Sequence, residues 1–387
     1  MKVLIIGDAS SIFVKQYIEY VLLDGTNQVV LLQENPLFEG YREFYESNNV
    51  QIEPLWNKKN SFIKKVPIIR SILGAKLWCS YIKKKYKHFE LIHVHGVNRS
   101  RGNIGKYLRN ICDKLIVSVW GDEIFRNSPE TMKKHKVYYS CADRITMATK
   151  VMIDRFNSVY NNEFAAKVSM NKFAIGLFDK IDVVKNEFTR GQICEEFGIK
   201  HPEKTLVFVG HNGREAQRHT ELTKELLNLP QELKDNIVLV YTMTYGVRDN
   251  AYIEEMEAAA KQTGCEYVIL RDFMNEETSA KLRTICDVML HAQLTDAFSA
   301  SIQESLYSGS IIINGSWLPY NELPNYKECV VEYDDITQIG QVLQTVLENQ
   351  EIYRTKFKAN RDILRQISSL EVTTEKWKET IKLCMNV

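Results

Sequence analysis

Two carboxylates stand eight residues apart in the C-terminal half of the sequence. Asp296 and Glu304 enclose the stretch "AFSASIQ", and the apolar run "SIIIN" follows shortly afterwards. Residues at this spacing are about two helical turns apart, so the two acids can bracket one face of a helix start. Carboxylates accept hydrogen bonds from hydroxyl groups and stabilise developing positive charge, which makes the pair a candidate binding or catalytic site. A loop aspartate followed by a solvated helical glutamate would produce the same spacing.

The elements that would position this pair alternate along the whole chain. Short apolar runs are separated by stretches that can form helices, and these runs are "KVLIIG", "QVVLLQE", "ELIHVHG", "KLIVSVWG", "RITMAT", "TLVFVG", "NIVLVYTM", "EYVIL", "VMLHA", "SIIIN" and "CVVEY". Continuous apolar strands that alternate with helices are typical of parallel sheets covered on both faces. We therefore predict an α/β protein with two doubly wound, Rossmann-like domains.

The predicted boundary between these domains follows from a break in the pattern. At 387 residues the chain exceeds the size at which a single core stops growing, so two domains are the expected number. The periodicity stops near Gly176, and segment 176–191 carries few apolar residues, which predicts a linker there. We place an N-terminal domain at residues 1–180 and a C-terminal domain at residues 181–368. The last stretch, 369–387, is predicted to be a helix that packs back on the N-terminal domain.

The composition is that of an ordinary globular protein. The 50 lysines and arginines against 49 acidic residues leave a net charge of +1, which gives no global attraction to nucleic acid. The N-terminal apolar run ends at Gly7, too soon for a signal peptide or a membrane span, so we expect a cytoplasmic protein. The eight cysteines show no Cys-x-x-Cys spacing and are expected to be reduced core residues.

One loop of the C-terminal half, "FVGHNGREAQRH", has the features of an anion site. A strand is expected to end at Gly210, Gly213 allows close backbone approach, and a helix is expected to begin near Glu215. Arg214 and Arg218 would then lie one turn apart and could contact the same diphosphate; two solvated arginines in a turn are the alternative. The Gly-x-Gly-x-x-Gly pattern is absent here and after the first strand, which argues against a nicotinamide dehydrogenase.

The order of these pieces resembles the GT-B glycosyltransferases of the family-4 type. The resemblance is carried by "ELIHVHG", "VWGDE", "ADRITMATKVMIDRF", "VFVG", "CDVMLHA" and "DAFSASIQESLYSG", the last of which is similar to the Glu-x7-Glu signature of that family. Two loops, "GHNGREAQRH" and "TMTYGVRDNAYIEEM", resemble those of the 4-acetamido-4,6-dideoxygalactose transferases. This chain has Asp296 where family 4 usually has glutamate, and Ala297 and Ser299 where it usually has glycine. The resemblance implies a GT-B fold, with two Rossmann-like domains facing across a cleft.

The resemblance also assigns roles to the opening pair. It implies that Glu304 binds the ribose of a nucleotide diphosphate sugar and that Asp296 lies near the transferred sugar as a catalytic residue. The main-chain amides at the helix start, near Ser299 and Ala300, would face the diphosphate. The residues predicted to bind the donor are Gly210, Asn212, Gly213, Arg214, Arg218, His219, Tyr245, Phe273, Ser299, Ala300 and Glu304. No cofactor is expected beyond the donor substrate.

The N-terminal domain is expected to hold the acceptor and further catalytic groups. His93 and His95 share one face of a predicted strand, and His95 lies at its carboxyl end, whereas His93 is expected to be a buried, hydrogen-bonded histidine. Asp122 and Glu123 follow the strand that ends in "SVWG", where either could act as general base if the enzyme inverts. In a retaining enzyme the donor phosphate would help to deprotonate the acceptor and these acids would orient it. We expect no metal requirement, because amides and arginines would stabilise the leaving diphosphate.

A basic segment at residues 57–88 predicts a membrane partner. It contains ten lysines and arginines and no acid, interleaved with apolar and aromatic residues such as Trp78. Such a stretch suits an anionic membrane surface, and we expect Trp78 and its neighbours to enter the interface. The alternative is a surface helix whose lysines extend over its own core face.

The sequence thus predicts a peripheral membrane glycosyltransferase on the cytoplasmic face of the plasma membrane. It would move a hexosyl-type sugar from a nucleotide diphosphate donor to a lipid-linked or polysaccharide acceptor in bacterial surface polysaccharide synthesis (capsule, exopolysaccharide or O-antigen). A GT-B nucleotide-sugar epimerase and a catalytically silent GT-B subunit that supports a partner transferase are the alternatives.

Overall fold

The chain forms two compact units, each built on its own parallel sheet. The computed structural model describes residues 1–33, 37, 39–54, 75–96, 104–247, 249–318, 320 and 322–386. The first unit comprises residues Met1–Ala174 and Leu370–Val387, and the second comprises residues Ile175–Ser369. The chain therefore leaves the first unit, builds the whole of the second and returns to the first.

The first unit has a seven-stranded parallel sheet. Its strands are β1 (Lys2–Ile6), β2 (Gln28–Gln33), β3 (Gln51–Pro54), β4 (Phe89–His95), β5 (Cys112–Ser118), β6 (Arg144–Met147) and β7 (Val168–Met170). Their order in the sheet is β3-β2-β1-β4-β5-β6-β7, and every neighbouring pair is parallel. Strand order reverses at β1, as it does in a doubly wound sheet.

Helices cross over between these strands. They are α1 (Ile12–Tyr17), continued by a π-helical turn (Ile18–Leu22), then α2 (Glu39–Ser47), α3 (Ala75–Tyr86), α4 (Ile104–Arg109), α5 (Gly121–Phe125), α6 (Pro129–Lys133), α7 (Lys136–Cys141), α8 (Lys150–Val159) and, from the end of the chain, α19 (Leu370–Met385). Helix α19 adds Trp377, Ile381 and Cys384 to the core of this unit. The indole Nε1 of Trp377 donates to the carbonyl of Lys172 over 2.9 Å.

The second unit repeats the plan with a six-stranded parallel sheet. Its strands are β8 (Thr205–Val209), β9 (Ile237–Thr242), β10 (Glu266–Leu270), β11 (Val288–His291), β12 (Ile311–Gly315) and β13 (Val331–Tyr333), in the order β10-β9-β8-β11-β12-β13. The central strands read as apolar runs because both faces are covered, and Val207, Leu239, Leu290 and Ile313 have no exposed surface.

The helices of the second unit alternate with these strands. They are α9 (Leu177–Glu187), α10 (Arg190–Glu196), α11 (His219–Glu225), α12 (Gln231–Asp235), α13 (Asn250–Thr263), α14 (Glu276–Ile285), α15 (Ala300–Ser308), α16 (Ile339–Glu348), α17 (Gln350–Lys356) and α18 (Asn360–Ser368). Helix α15 follows β11 and places its N-terminus at the carboxyl edge of the sheet, where ligands of doubly wound folds bind.

The sequence prediction of two doubly wound, Rossmann-like domains is confirmed, with two local differences. Strands β3 and β7 were not predicted; each forms an edge of the first sheet. Segment 176–191, predicted to be a linker, contains helix α9, which buries Phe178, Ile181 and Val184. Five of the eleven residues of α9 are apolar, which is enough for one buried stripe.

The basic segment 57–88 is described by the structure only from residue 75 onward, and residues 57–74 lie outside the described ranges. Helix α3 directs Trp78, Ile82 and Tyr86 into the first unit, and Trp78 is 0% exposed. The expectation that Trp78 enters a membrane interface is therefore wrong: the indole is part of the protein's own core. Lys76, Lys83 and Lys84 are exposed on its other side, whereas Lys85 pairs with Glu53, and Leu77 is its exposed apolar residue.

All eight cysteines are free thiols, and seven of them are buried. The burial of these seven confirms the expectation of core residues. In the parts of the chain that the structure describes, every helix is too short or too polar to cross a bilayer.

Candidate functional site

Asp296 lies just before helix α15 and is hydrogen-bonded to its N-terminal segment. Its Oδ2 accepts a hydrogen bond from the main-chain N–H of Ser299 over 2.9 Å and another from the hydroxyl of Tyr320 over 2.9 Å. The helix begins at Ala300, so the aspartate lies just before its first turn. Two donors on one oxygen fix the carboxylate, and the described residues offer no hydrogen bond to its Oδ1. The side chain is thus held as an oriented acceptor at a helix N-terminus.

Glu304, on the second turn of α15, is paired with an arginine. Its Oε2 accepts a hydrogen bond from Nε of Arg283 on α14 over 3.1 Å, and Arg283 also donates from Nη2 to Ser301 Oγ over 3.0 Å. The exposed fractions of the two side chains are 8% for Arg283 and 13% for Glu304. Arg283 Nη1 is buried and finds no hydrogen-bond partner in the described parts of the chain. The helix start is therefore bracketed by the two acids, but they make separate contacts.

The turn between the two acids is strained at Phe298. Its φ angle is +60°, in the left-handed region, and its ring is buried against Tyr320 with the ring centroids 4.7 Å apart. A non-glycine residue in this region costs on the order of 1–2 kcal/mol. The neighbouring positions, Ala297 and Ser299, are those at which family-4 sequences usually have glycine. The buried aromatic contact offsets the strain and fixes the approach to α15.

A buried network joins Asp296 to the ends of two strands. His291 at the end of β11 has no exposed surface, and its Nδ1 lies 2.8 Å from Asn314 Oδ1 on β12 and 3.2 Å from the Tyr320 hydroxyl. Asn314 Nδ2 donates to the carbonyl of Leu318 over 3.0 Å, so its Oδ1 faces the imidazole and Nδ1 must carry the proton. The Tyr320 hydroxyl thus connects His291 with Asp296.

The loop after β8 is folded tightly against its neighbours. Gly210 has a φ of +72°, and a β-carbon there would lie 2.8 Å from His219 Nε2. A β-carbon on Gly213 would lie 2.3 Å from Val247 Cγ2, and the N–H of Gly213 donates to the carbonyl of Tyr245 over 2.9 Å. Glycine is required at both positions, because any side chain would push the loop away from the sheet edge.

The arginines of this loop do not lie on a common helix, as the sequence had suggested. Residues Glu215–Gln217 form a single 3₁₀ turn, Arg218 has a left-handed φ of +61°, and α11 begins at His219. Arg218 is engaged by Glu221, with Nε 3.5 Å from Oε1. Arg214 is exposed beside Gly246, and its main-chain N–H donates to Asn212 Oδ1 over 3.0 Å. The left-handed residue interrupts the helix, so the two side chains are not one turn apart.

Two further histidines of this region are buried and uncharged. Burial lowers the pKa of His211 well below its usual value, and the nearby His291 and Arg283 lower it further. Burial lowers the pKa of His219 to about 4, although a hydrogen bond to the backbone of Asn212 opposes this. His219 Nδ1 is 2.8 Å from the Tyr252 hydroxyl, within the "AYIEE" stretch. Neutral imidazoles therefore line the carboxyl ends of β8 and β11.

Two exposed aromatic residues follow the neighbouring strands. Tyr245 comes after β9 and is 50% exposed, and Phe273 comes after β10 and is 69% exposed. Exposed rings at the carboxyl edge of a parallel sheet offer flat apolar faces on which a nucleotide base can stack. The predicted donor-binding residues all follow the carboxyl ends of β8, β9, β10 and β11, either in the loops or in the first two turns of the next helix.

The first unit places His93 and His95 in contact. His93 is fully buried, with Nδ1 2.8 Å from the Tyr17 hydroxyl and Nε2 2.8 Å from Ser118 Oγ, as expected for a hydrogen-bonded core histidine. His95 at the end of β4 is also buried, and its ring centroid lies 4.0 Å from that of His93 and 4.9 Å from that of Tyr17. Burial lowers the pKa of His93 well below its usual value.

Asp122 and Glu123 have different surroundings. Glu123 is buried and accepts a hydrogen bond from the main-chain N–H of Trp120 over 2.7 Å, which caps α5. Its Oε1 lies beside the backbone that follows His95, 3.4 Å from the place of a β-carbon on Gly96. Asp122 is 68% exposed and pairs with Arg126 over 3.1 Å. The structure therefore brings Glu123, and not Asp122, near the end of β4.

The sequence analysis missed four members of the site in the second unit: Arg283, His291, Asn314 and Tyr320. His291 had a signal, because a polar residue ends the buried strand "VMLH" as His95 ends "LIHVH". The other three come from a distant helix, a strand and a loop, and nothing in the sequence relates them to Asp296 or Glu304. Among the described residues, no group of three or more histidine, cysteine or acidic side chains is arranged to hold a metal ion.

Solved structures share this fold across the whole chain. HepE from Anabaena in complex with UDP and glucose is 13% identical with a TM-score of 0.73, covering 99% of this chain and 100% of that one. A glycosyltransferase from Rickettsia africae is 14% identical with a TM-score of 0.72, covering 98% of each chain. UDP-GlcNAc 2-epimerase from Neisseria meningitidis, bound to UDP-GlcNAc, is 12% identical with a TM-score of 0.64, covering 99% and 100%.

These likenesses establish the GT-B fold, which confirms the fold predicted from the sequence. No protein-family model matches the chain, and no curated protein matches it significantly in sequence. At such low identities the similarity concerns the fold alone.

Proposed function

We propose that the protein is a glycosyltransferase that takes a sugar from a nucleotide diphosphate donor. The observation that carries this proposal is the position of Asp296 at the N-terminus of α15, held by Ser299 and Tyr320, with Glu304 eight residues further on. Helix α15 has nine residues, and the free N–H groups of its first turn can bind an anionic diphosphate. An oriented carboxylate beside it can act on charge that develops as the glycosidic bond breaks.

The donor would lie along the carboxyl edge of the second sheet. Glu304 would bind the ribose, and Arg214 would bind the diphosphate. The base would stack on the exposed rings of Tyr245 and Phe273. Asp296 would lie beside the transferred sugar. The HepE and epimerase structures contain UDP or UDP-sugars, which supports a nucleotide-linked donor for this fold.

We assign the acceptor to residues 1–180, with residues 181–368 as the donor domain and the C-terminal helix as a support of the first. His95 and Glu123 would contact or deprotonate the acceptor, because both border the backbone after β4. Asp122 is exposed, and its proposed role is to orient the acceptor and not to deprotonate it. The leaving diphosphate would be stabilised by helix amides and arginine, without a metal ion.

We further propose that the acceptor is lipid-linked and that the protein works at the cytoplasmic membrane surface in bacterial polysaccharide synthesis. The basic face of α3 supports this: Lys76, Lys83 and Lys84 of the helix and Lys87 directly after it are exposed, and the apolar side of the helix is buried. Each basic residue near an anionic surface contributes on the order of 1 kcal/mol. The helix would bind by charge, with Leu77 as its exposed apolar residue.

Turnover of a nucleotide-sugar panel tests the proposal. Thermal-shift screening would first find the donor, since a ligand at a hundred times its dissociation constant stabilises a fold by about 2.7 kcal/mol. Slow release of free nucleoside diphosphate, accelerated by an acceptor extract, is the expected result for a transferase. Conversion of the donor to an epimer would instead favour the epimerase alternative. The Neisseria epimerase has a similar fold. Binding without turnover of any donor would favour a silent subunit.

A further inference from the structure

Two buried histidine nitrogens at the carboxyl ends of β8 and β11 have no hydrogen-bond partner among the residues that the structure describes. They are Nδ1 of His211 and Nε2 of His291, and their side chains are 4% and 0% exposed. The two ring centroids lie 5.5 Å apart. An unpaired buried polar atom costs on the order of 1–3 kcal/mol, so a bound group that supplies the missing hydrogen bonds to both nitrogens would stabilise this part of the sheet edge.

The protonation of each ring follows from its other nitrogen. Gln217 Oε1 accepts the main-chain N–H of His211 over 3.3 Å, so its Nε2 amide group, 3.2 Å from His211 Nε2, must donate to that nitrogen. His211 Nδ1 therefore carries the proton and is an unpaired donor. His291 Nδ1 donates to Asn314 Oδ1, so His291 Nε2 is an unpaired acceptor. The two orphaned atoms are a matched donor and acceptor.

We propose that these two nitrogens bind one hydroxyl group of the sugar that is transferred from the donor. A hydroxyl accepts one hydrogen bond and donates another, which satisfies His211 Nδ1–H and His291 Nε2 together. This inference rests on the proposed function. It adds a sugar-recognition site that lies outside the two acids of the Glu-x7-Glu pattern.

The charge of the site favours a neutral hydroxyl over a phosphate oxygen. Burial keeps both imidazoles uncharged, since it lowers the pKa of His211 and of His291. A bare ring nitrogen that can only accept a hydrogen bond repels an anionic oxygen, whereas it pairs with a hydroxyl. The connection through Tyr320 places this site on the side of Asp296, and the ribose-binding Glu304 is engaged separately by Arg283.

The chain permits variants that delete one orphaned nitrogen at a time. His211→Gln retains an acceptor for the Gln217 amide at the position of Nε2 and removes Nδ1–H. His291→Asn retains a donor to Asn314 at the position of Nδ1 and removes Nε2. His201→Gln, at a side chain that is 49% exposed and faces Glu203, is the matched control.

Calorimetry with UDP and with UDP-glucose, which HepE binds in its solved complex, separates sugar contacts from nucleotide contacts. Each site variant should bind UDP as the parent does, and UDP-glucose roughly three- to tenfold more weakly, the effect of one lost hydrogen bond. The double variant removes both hydrogen bonds and should bind UDP-glucose more weakly than either single variant, but by less than the sum of the two losses, because both bonds are made to one hydroxyl. A UDP-sugar that lacks this hydroxyl should bind the parent and the variants equally.

Three outcomes would overturn the inference, and they are distinguishable. Parent-like binding of UDP-glucose by both variants means that the nitrogens hold only water. Equal loss of UDP and UDP-glucose affinity, with unchanged thermal unfolding, means that the diphosphate occupies the site. Failure of the parent to bind any of UDP, dTDP, GDP and their glucose conjugates overturns the proposed function and this inference with it.

Discussion

Arg283 and Glu304 form a nearly buried ion pair, with Nε and Oε2 3.1 Å apart, at the helix that the proposed function makes the centre of donor binding. Removal of one partner leaves the other charge buried, which typically costs about 3–5 kcal/mol. Glu304→Ala should therefore lower the free energy of unfolding by roughly 3 kcal/mol in urea titrations. Glu304→Gln keeps an acceptor for Arg283 and should destabilise less, while it raises the dissociation constant of the nucleoside diphosphate. Parent-like stability and binding of both variants would show that the pair is incidental.

Asp296→Asn should affect turnover more than binding. The amide oxygen can still accept from Ser299 N–H and the Tyr320 hydroxyl, so the loop should keep its shape. The lost charge should slow transfer at saturating donor by about 100-fold, the effect of deleting one group that stabilises charge in a transition state. Tyr320→Phe is the companion variant: it removes one hydrogen bond to the carboxylate and should slow transfer by about tenfold or less. A normal rate for Asp296→Asn would refute the catalytic assignment.

Arg214 and Arg218 should differ as contacts of the diphosphate. Arg214 is exposed beside the loop backbone, whereas Arg218 faces Glu221 and has a left-handed backbone. Arg214→Ala should weaken nucleoside diphosphate binding by about 1.5–3 kcal/mol, the value of a charge-assisted hydrogen bond. Arg218→Ala should change it less. Isothermal calorimetry decides between them, and equal affinity of Arg214→Ala and parent would exclude this arginine.

The exposed lysines of α3, together with Lys87 directly after it, should control binding to anionic vesicles. Lys83, Lys84 and Lys87 replaced by Gln should weaken sedimentation with phosphatidylglycerol vesicles, and the parent's binding should fall as salt rises. Lys85 is left unchanged because it pairs with Glu53. The control removes the same charge from the exposed Lys133, Lys134 and Lys200. Equal binding of parent and α3 variant would contradict the electrostatic proposal.

A Trp78 variant is not suitable for the vesicle experiment. Because the indole is buried, Trp78→Ala should destabilise the first unit by about 3–5 kcal/mol and cannot be used as a test of membrane insertion.

The stability of the protein should fall in mild acid because His219 is buried uncharged. Its pKa is about 4 when folded, below the ordinary value of 6.5, so the unfolded chain binds more protons between these values. The stabilisation that the neutral His219 contributes should therefore be fully present above about pH 7. At pH 5 this group alone should lower the free energy of unfolding by about 2 kcal/mol. Urea titrations at both pH values measure the loss, and His219→Gln should reduce it. A pH-independent difference between parent and variant would show that His219 does not titrate as described.

The fold was largely predictable because the buried parallel strands consist of continuous apolar runs in the sequence. The two missed strands, "QIEP" and "VSM", are short, lie at the edges of the first sheet and need no continuous apolar sequence. Local features of the site were also predictable, namely the carboxylates around a helix start. Its partners were not: Arg283 reaches Glu304, and Tyr320 reaches Asp296, only after the sheet has assembled.

Loop detail was least accessible to sequence reasoning. The helical spacing assumed for Arg214 and Arg218 failed because one residue between turn and helix adopts a positive φ, which no periodicity reveals. The orientation of Trp78 was misjudged for a related reason: a basic amphipathic helix has the same pattern whether its apolar face meets a bilayer or the protein itself.

The return of the chain to its first unit has a consequence for synthesis on the ribosome. The second unit is one continuous segment, Ile175–Ser369, and can complete its core as soon as that segment has emerged. The core of the first unit lacks Trp377, Ile381 and Cys384 until the chain has been translated beyond them. The unit that is made first is therefore the one that matures last. Its incomplete apolar core stays exposed or chaperone-bound while slightly more than two hundred further codons are translated, at roughly 5–20 residues per second.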